Sequence, residues 1–250
     1  MIHTAYDVMK EYLITGAELD GPYQIPVIPP IQLVPKKSMD FVSSKSRSLK
    51  GHKDLTVNFY IDDKSFLQVW NQPDQYIEHL KCFHSVCSPD FTIASGMPSA
   101  LNIYNLYRNH ALGYYWAVMG VKIIPSVNII SPKEMPWIFD GTPRRSTVSC
   151  CTNGRVRSKS ARMEFCENFK EMLDAIEPTK VVIVGIIPDE LNVDVPIINL
   201  NSRSQNMKEI FRKEGPWEQS VADQQNEGTK KQVGRRNAEA YFSVLWDEET

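Results

Sequence analysis

Residues 88–127, SPDFTIASGMPSALNIYNLYRNHALGYYWAVMGVKIIPSV, decide the fold of this chain. They read as a strand, a turn, a long helix, a second turn and a second strand. Asp90 to Ala94 is a short β-prone run, broken by Gly96-Met97-Pro98. Pro98 suits the first turn of a helix, where a missing N–H costs nothing. Apart from Gly113, no breaker follows until Gly120, which sits where a left-handed cap ends a helix. Val121 to Val127 is then apolar and β-branched. This succession predicts a βαβ crossover, with its two strands as parallel neighbours.

The helix carries two stripes. Leu101, Tyr104, Ala111, Leu112, Tyr115 and Val118 follow helical spacing and are expected to face the sheet. Asn102, Asn105 and Asn109 form another stripe, with Arg108 and His110 beside it. That stripe is either a solvated or structurally hydrogen-bonded face or one polar wall of a binding cleft.

Working outward, helices and strands alternate on both sides. Leu55 to Ile61 is a strand ended by Asp62-Asp63, and Lys64 to Trp70 and Asp74 to Phe83 read as helix. Downstream come a strand at Ser146 to Thr152 and a turn at Asn153-Gly154. An amphipathic helix at Ala161 to Ile176 follows, then an apolar strand at Lys180 to Ile187. Val195 to Leu200 is a further strand and Met207 to Lys213 a helix. This rhythm predicts an α/β fold, a mostly parallel sheet with flanking helices, either an open doubly wound sheet or an incomplete barrel. Five prolines between Pro22 and Pro35 mark an extended arm rather than a central strand. The expected organisation is an N-terminal helix and Pro-rich arm over residues 1–50, an α/β domain over 51–213, and a polar tail over 214–250 with a short apolar end.

Composition narrows the function classes. A net charge of −2 argues against coating nucleic acid by bulk electrostatics, while leaving room for a local basic patch. No apolar run approaches the ~20 residues that span a bilayer. The N-terminus lacks the basic start and apolar core of a signal peptide, so a cytoplasmic protein is expected. Cys82, Cys87, Cys150, Cys151 and Cys166 are odd in number, form no CxxC pair and have no histidine at zinc-finger spacing. No metal site is expected from them.

Two groups of residues suggest chemistry. Ligands of parallel sheets bind beyond the carboxyl ends of the strands, which collects Asp62, Asp63, Ser95, Gly96, Asn128, Thr152, Asn153, Gly185 and Asn199. Asp62 and Asp63 are the catalytic candidates, for a metal-dependent hydrolase or nuclease in which Asp90 or Asp140 adds a ligand. Between Thr142 and Met163 lie Arg144, Arg145, Arg155, Arg157, Lys159 and Arg162 and no acid. Arg155, Arg157 and Lys159 lead into a helix N-terminus, where backbone N–H groups favour anions. GRVRSKS lacks the second glycine of a phosphate loop, yet its arginine forks suit phosphate. With Asn105 and Arg108 on the neighbouring edge, these residues form the ligand-binding candidate, for a nucleotide or nucleic acid. A third reading is a non-catalytic protein acting on a host or defence factor. The residues specify neither a cofactor nor an oligomeric state.

FYIDDKSFLQVWNQPDQYIEHL, then the quoted stretch, then FDG, STVSCCTNG and VVIVG occur in an order that carries a resemblance. Over roughly Pro26 to Gly185 the chain resembles the domain-of-unknown-function family numbered 4417, encoded largely by bacteriophages, plasmids and their hosts. The resemblance implies a mobile-element protein in a bacterial cytoplasm and carries over no catalytic residues.

Overall fold

The computed structural model describes residues 9–45 and 53–214. The sequence readings for residues 1–8, 46–52 and 215–250, including the polar tail and its apolar end, lie outside the described residues.

Parallel strands in chain order form the framework. Strands β1 (Leu19–Asp20) and β2 (Ile25–Pro26) make a small antiparallel pair. β3 (Lys37–Asp40), β4 (Leu55–Asn58), β5 (Ser85–Cys87) and β6 (Ile123–Ile124) then pair in parallel, each beside its predecessor. β7 (Thr147–Cys151), β8 (Lys180–Val184) and β9 (Ile197–Leu200) do the same, with β8 central. A parallel bridge between Ser126 and Ser149 joins the two groups, closed by Val127 N–H to Ser149 O at 2.7 Å and Ser149 N–H to Pro125 O at 2.8 Å. The strand order never reverses, which separates this topology from the doubly wound sheet.

Two side-chain contacts show how far the sheet curls. The Tyr60 hydroxyl, just beyond β4, donates to Ser149 Oγ on β7 at 2.9 Å. Across a flat sheet those strands lie three spacings, ~14 Å, apart. At the edges, Ser38 Oγ on β3 donates to the carbonyl of Asn201, just past β9, at 2.7 Å, where a flat sheet puts ~29 Å between them. Asn206 Nδ2 adds a bond to Ser38 O at 3.2 Å. No ladder joins β3 to β9 among the described residues. The fold is therefore the incomplete barrel, with side chains spanning its seam.

Alternation along the strands separates inside from outside. Leu55, Val57 and Phe59 pack outward into a core with Phe41, Phe66 and Trp116. Val181 and Ile183 pack outward with Phe165, Phe169, Met172 and Ile176 of α5 (Lys159–Ile176). Inside lie Tyr60 with Val182, Val184 and Leu200, and a hydroxyl pair, Thr56 and Ser85, at 2.8 Å.

Helix α4 (Ser99–Val118) matches its predicted span and is followed by Gly120 at φ 93°. Its buried face matches the expected one in part. Ala111, Leu112 and Tyr115 are buried as expected, but Leu101, Tyr104 and Val118 are about half exposed, and Asn102, Asn105, Leu106, Asn109 and Trp116 are buried in their place. The reason lies in residues 91–94, which form no strand. Asn109 accepts from Phe91 N–H at 2.7 Å and donates to Phe91 O at 3.2 Å. Asn105 donates to Thr92 O, and Asn102 pairs with both the N–H and the carbonyl of Ala94. Amide side chains thus satisfy an extended backbone that no neighbouring strand satisfies. The crossover strand is β5, ahead of Ser88-Pro89, and the second strand shortens to Ile123–Ile124. The segment from Lys64 to Phe83 is broken into short helical pieces, including α2 (Gln68–Asn71) and α3 (Ile77–Leu80). The remaining helices are α1 (Phe41–Ser44) and α6 (Arg203–Glu214).

Candidate functional site

The carboxyl ends of β4, β5, β6 and β7 open on one edge of the barrel, the edge where parallel barrels carry their sites. A cleft of about 210 Å³ lies there. Its polar lining is Tyr60, Asp90, Thr92, Asn128, Cys151, Asn153 and Arg155, and Ile61, Ile93, Val127 and Ile129 give it apolar walls. A second cavity of about 370 Å³ shares Ile93, Ile129 and Arg155 with it and adds Ser95, Glu134, Glu164 and Asn168.

Local structure explains each placement. Past β5, Pro89 cannot donate to a ladder, so the chain leaves the sheet and Asp90 sits beyond the strand end. Residues 91–94 then run along the cleft, pinned by the asparagines of α4. Asp63 secures the same run from the other side, accepting from Thr92 N–H at 3.1 Å and Thr92 Oγ1 at 2.9 Å. After β7, Thr152 to Arg155 makes a four-residue turn closed by Arg155 N–H to Thr152 O at 3.1 Å. Gly154 occupies its third position with φ 78°, as a type II turn requires. This turn carries Arg155 back over the strand ends.

There Arg155 is held rather than free. It donates from Nη1 to Ile129 O at 3.0 Å and from Nη2 to Asn128 Oδ1 at 3.2 Å. Asn128 Nδ2 in turn donates to Asp90 Oδ1 at 3.2 Å. Removal from water raises the Asp90 carboxyl to about 6, with the nearby Asp63 charge adding to the rise and Arg155 and Asn128 opposing it. Such a group changes charge near neutrality, as proton-handling site residues do. The same burial moves the thiols away from neutrality. Burial lifts Cys87 and Cys151 each to about 12, so neither is a thiolate nucleophile at neutral pH. Tyr60, partly buried and bonded to Ser149 and Ser126, is likewise held well above its ordinary value by desolvation.

The residues singled out from sequence divide clearly. Asn128, Asn153 and Arg155 meet in the cleft. Arg157 and Lys159 are exposed and outside its lining, and the N-terminus of α5 is capped by Ser158 Oγ, which accepts from Ala161 N–H at 3.1 Å. Asn105 and Arg108 support the wall without lining it. Asn105 binds the Thr92 carbonyl and accepts from Arg108, whose guanidinium stacks 3.8 Å from the Phe91 ring centre. Asp62 pairs with Lys64 at 3.0 Å, and Asp63 is engaged by Thr92. Among the described residues no three His, Cys, Asp or Glu side chains converge as a metal cluster. Tyr60 and Asp90 escaped the strand-end rule. Reading the crossover strand at Asp90 to Ala94 put Asp90 at its start instead of beyond its end. Pro89 was the signal against that register.

Among the described residues no helix is long and apolar enough to cross a membrane. The chain is similar to two phage proteins. The Gene 1 protein of Mycobacterium phage L5 is 27% identical over 179 residues, covering 72% of this chain and 78% of the relative. The Gene 1 protein of Mycobacterium phage D29 is 27% identical over 173 residues, covering 68% and 64%. No solved structure matches. The family described as "Domain of unknown function (DUF4417)" matches residues 17–201, and the chain belongs to it.

Proposed function

We propose that this is a phage-type accessory protein whose barrel-edge cleft binds a phosphate-containing small molecule of nucleotide class. One observation carries the reading: Arg155 is fixed over the strand ends by two of its five N–H donors, leaving three for a ligand. A guanidinium held in place loses little freedom on binding an anion and offers it a planar fork. Apolar walls at Ile93, Val127 and Ile129 suit the faces of a ring, and the asparagines and Asp90 suit its polar edge. The second cavity adds length on the far side of Arg155. Its Glu134 and Glu164 repel further anionic charge, which favours one phosphate over three.

Calorimetric titration of nucleoside monophosphates into the wild type and into Arg155→Gln tests the reading. A charge-assisted bond contributes ~1.5–3 kcal/mol, so the variant binds at least about tenfold more weakly. Its remaining affinity also depends less on salt. Arg157→Ala leaves affinity within about twofold, in line with its place outside the cleft. Equal affinity in the wild type and Arg155→Gln contradicts the reading.

A further inference from the structure

We propose that Asp90 and Asn128 read the Watson–Crick edge of a guanine base, making the ligand a guanine nucleotide; this rests on the nucleotide reading above. A guanidinium has donors only, so the Asn128 atom facing Arg155 Nη2 must be the amide oxygen. The amide nitrogen is thereby turned toward Asp90, where it donates to Oδ1. The orientation of the amide is thereby fixed, because a flipped Asn128 places donor against donor at Arg155 and acceptor against acceptor at Asp90.

What remains available to a ligand follows from counting hydrogens and lone pairs. Asn128 Nδ2 carries two hydrogens and commits one to Asp90, leaving one donor. Asp90 Oδ1 keeps a second lone pair, and among the described residues none donates to Oδ2. In order, the two side chains therefore present donor, acceptor, acceptor. Cytosine presents the same array to its partner base. The complement is acceptor, donor, donor, which guanine offers as its O6, its N1–H and its exocyclic amino group. Hypoxanthine lacks the last donor. Adenine in the same register sets its amino donor against the Asn128 donor and its N1 acceptor against Asp90 Oδ1, so two positions of the array are opposed and the third is left unpaired. Ile93, Val127 and Ile129 supply apolar surface for the ring faces, and the cleft's about 210 Å³ is on the scale of a base rather than a whole nucleotide. The sugar and phosphate then run toward Arg155 and the second cavity.

A further chemical point favours a ligand with two N–H groups. Asp90 is a carboxyl that burial makes reluctant to ionise, and two parallel donors are what the ionised form lacks in the free cleft.

Titrations with GMP, IMP and AMP at pH 7.5 test the assignment in the wild type, Asp90→Asn and Arg155→Gln. Asn at position 90 retains the size of the side chain and can still accept from Asn128, so the fold survives the exchange. A buried acceptor left unmatched weakens binding by about fivefold or more. GMP is therefore expected to bind at least about fivefold more tightly than IMP, and AMP more weakly than either. In Asp90→Asn the GMP and IMP affinities come within about twofold. Equal binding of all three nucleotides, weakened by Arg155→Gln, overturns the guanine assignment and leaves the phosphate reading standing. Tighter binding of AMP than GMP overturns the assignment as well. Absence of binding by any nucleotide overturns both.

Discussion

At the scale of the residue, Asp90 is where structure and chemistry pull in opposite directions. Its folded value, about 6, lies above the ordinary carboxyl range because burial disfavours the charge. The folded protein therefore holds a proton that the unfolded chain gives up between about pH 4 and 6. Stability from this group is full below that window and is lost as pH rises through it. Replacing Asp90 by Asn is expected to raise stability at pH 7.5 by roughly 1–3 kcal/mol, one pKa unit being about 1.4 kcal/mol, with little gain at pH 4. Urea unfolding of both proteins at the two pH values measures it; a variant less stable at pH 7.5 contradicts the account. The same protonation bears on the ligand. Asp90 faces Arg155, Asp63, Tyr60, Cys87 and Cys151, and of these neighbours the thiols and Tyr60 stay uncharged through neutrality. The GMP-over-IMP preference is expected to fall toward one as pH drops through about 6 in the wild type, and to stay flat in Asp90→Asn. His110 runs the other way. Burial lowers it to about 4, so the stability its neutral form gives is present above about pH 6.5 and lost as pH falls toward 4.

At the scale of the element, α4 shows what pattern reading reaches and where it stops. Its limits were legible from Pro98 and Gly120 because each end has a local cause. Its buried face was legible only at Ala111, Leu112 and Tyr115, because periodicity counts apolar side chains and the sheet side of α4 is partly built from asparagine. An asparagine amide offers a donor and an acceptor, which is what one residue of extended backbone needs. Asn102, Asn105 and Asn109 take up that role along residues 91–94, and the hydrogen-bonded reading of the stripe is the one the structure shows. Asn109→Ala strands a buried N–H and a buried carbonyl at Phe91 and is expected to cost ~2–5 kcal/mol. Leu101→Ala, at a side chain 51% exposed, is expected to cost less than ~1 kcal/mol. Chemical denaturation of the pair checks the contrast, and a larger cost at Leu101 than at Asn109 contradicts the assigned face. Arg155 teaches a related lesson. The Asn153-Gly154 turn was readable, but the direction in which it throws the next side chain depends on Asn128 and Ile129, 27 and 26 residues earlier.

At the scale of the whole molecule, parallel strands in chain order were legible from the helix–strand rhythm, and their curvature was not. Curvature comes from contacts between residues far apart in sequence, such as Tyr60 with Ser149 and Ser38 with Asn201. Tyr60→Phe removes the bonds that tie the edge of β4 to β7 across the interior and is expected to cost ~1–2 kcal/mol, read by thermal or urea unfolding. The curvature matters because it brings Asp90, Asn128, Asn153 and Arg155, from three different strand ends, to one cleft. The most direct test is a two-dimensional NMR titration of the isotopically labelled protein with GMP, following side-chain amide and guanidinium signals. The account predicts saturable shifts at the Asn128 and Asn153 side-chain amides and at Arg155 Nε, with Arg157 and Lys159 unmoved. Shifts confined to Arg157 and Lys159, or none at saturating GMP, would contradict it.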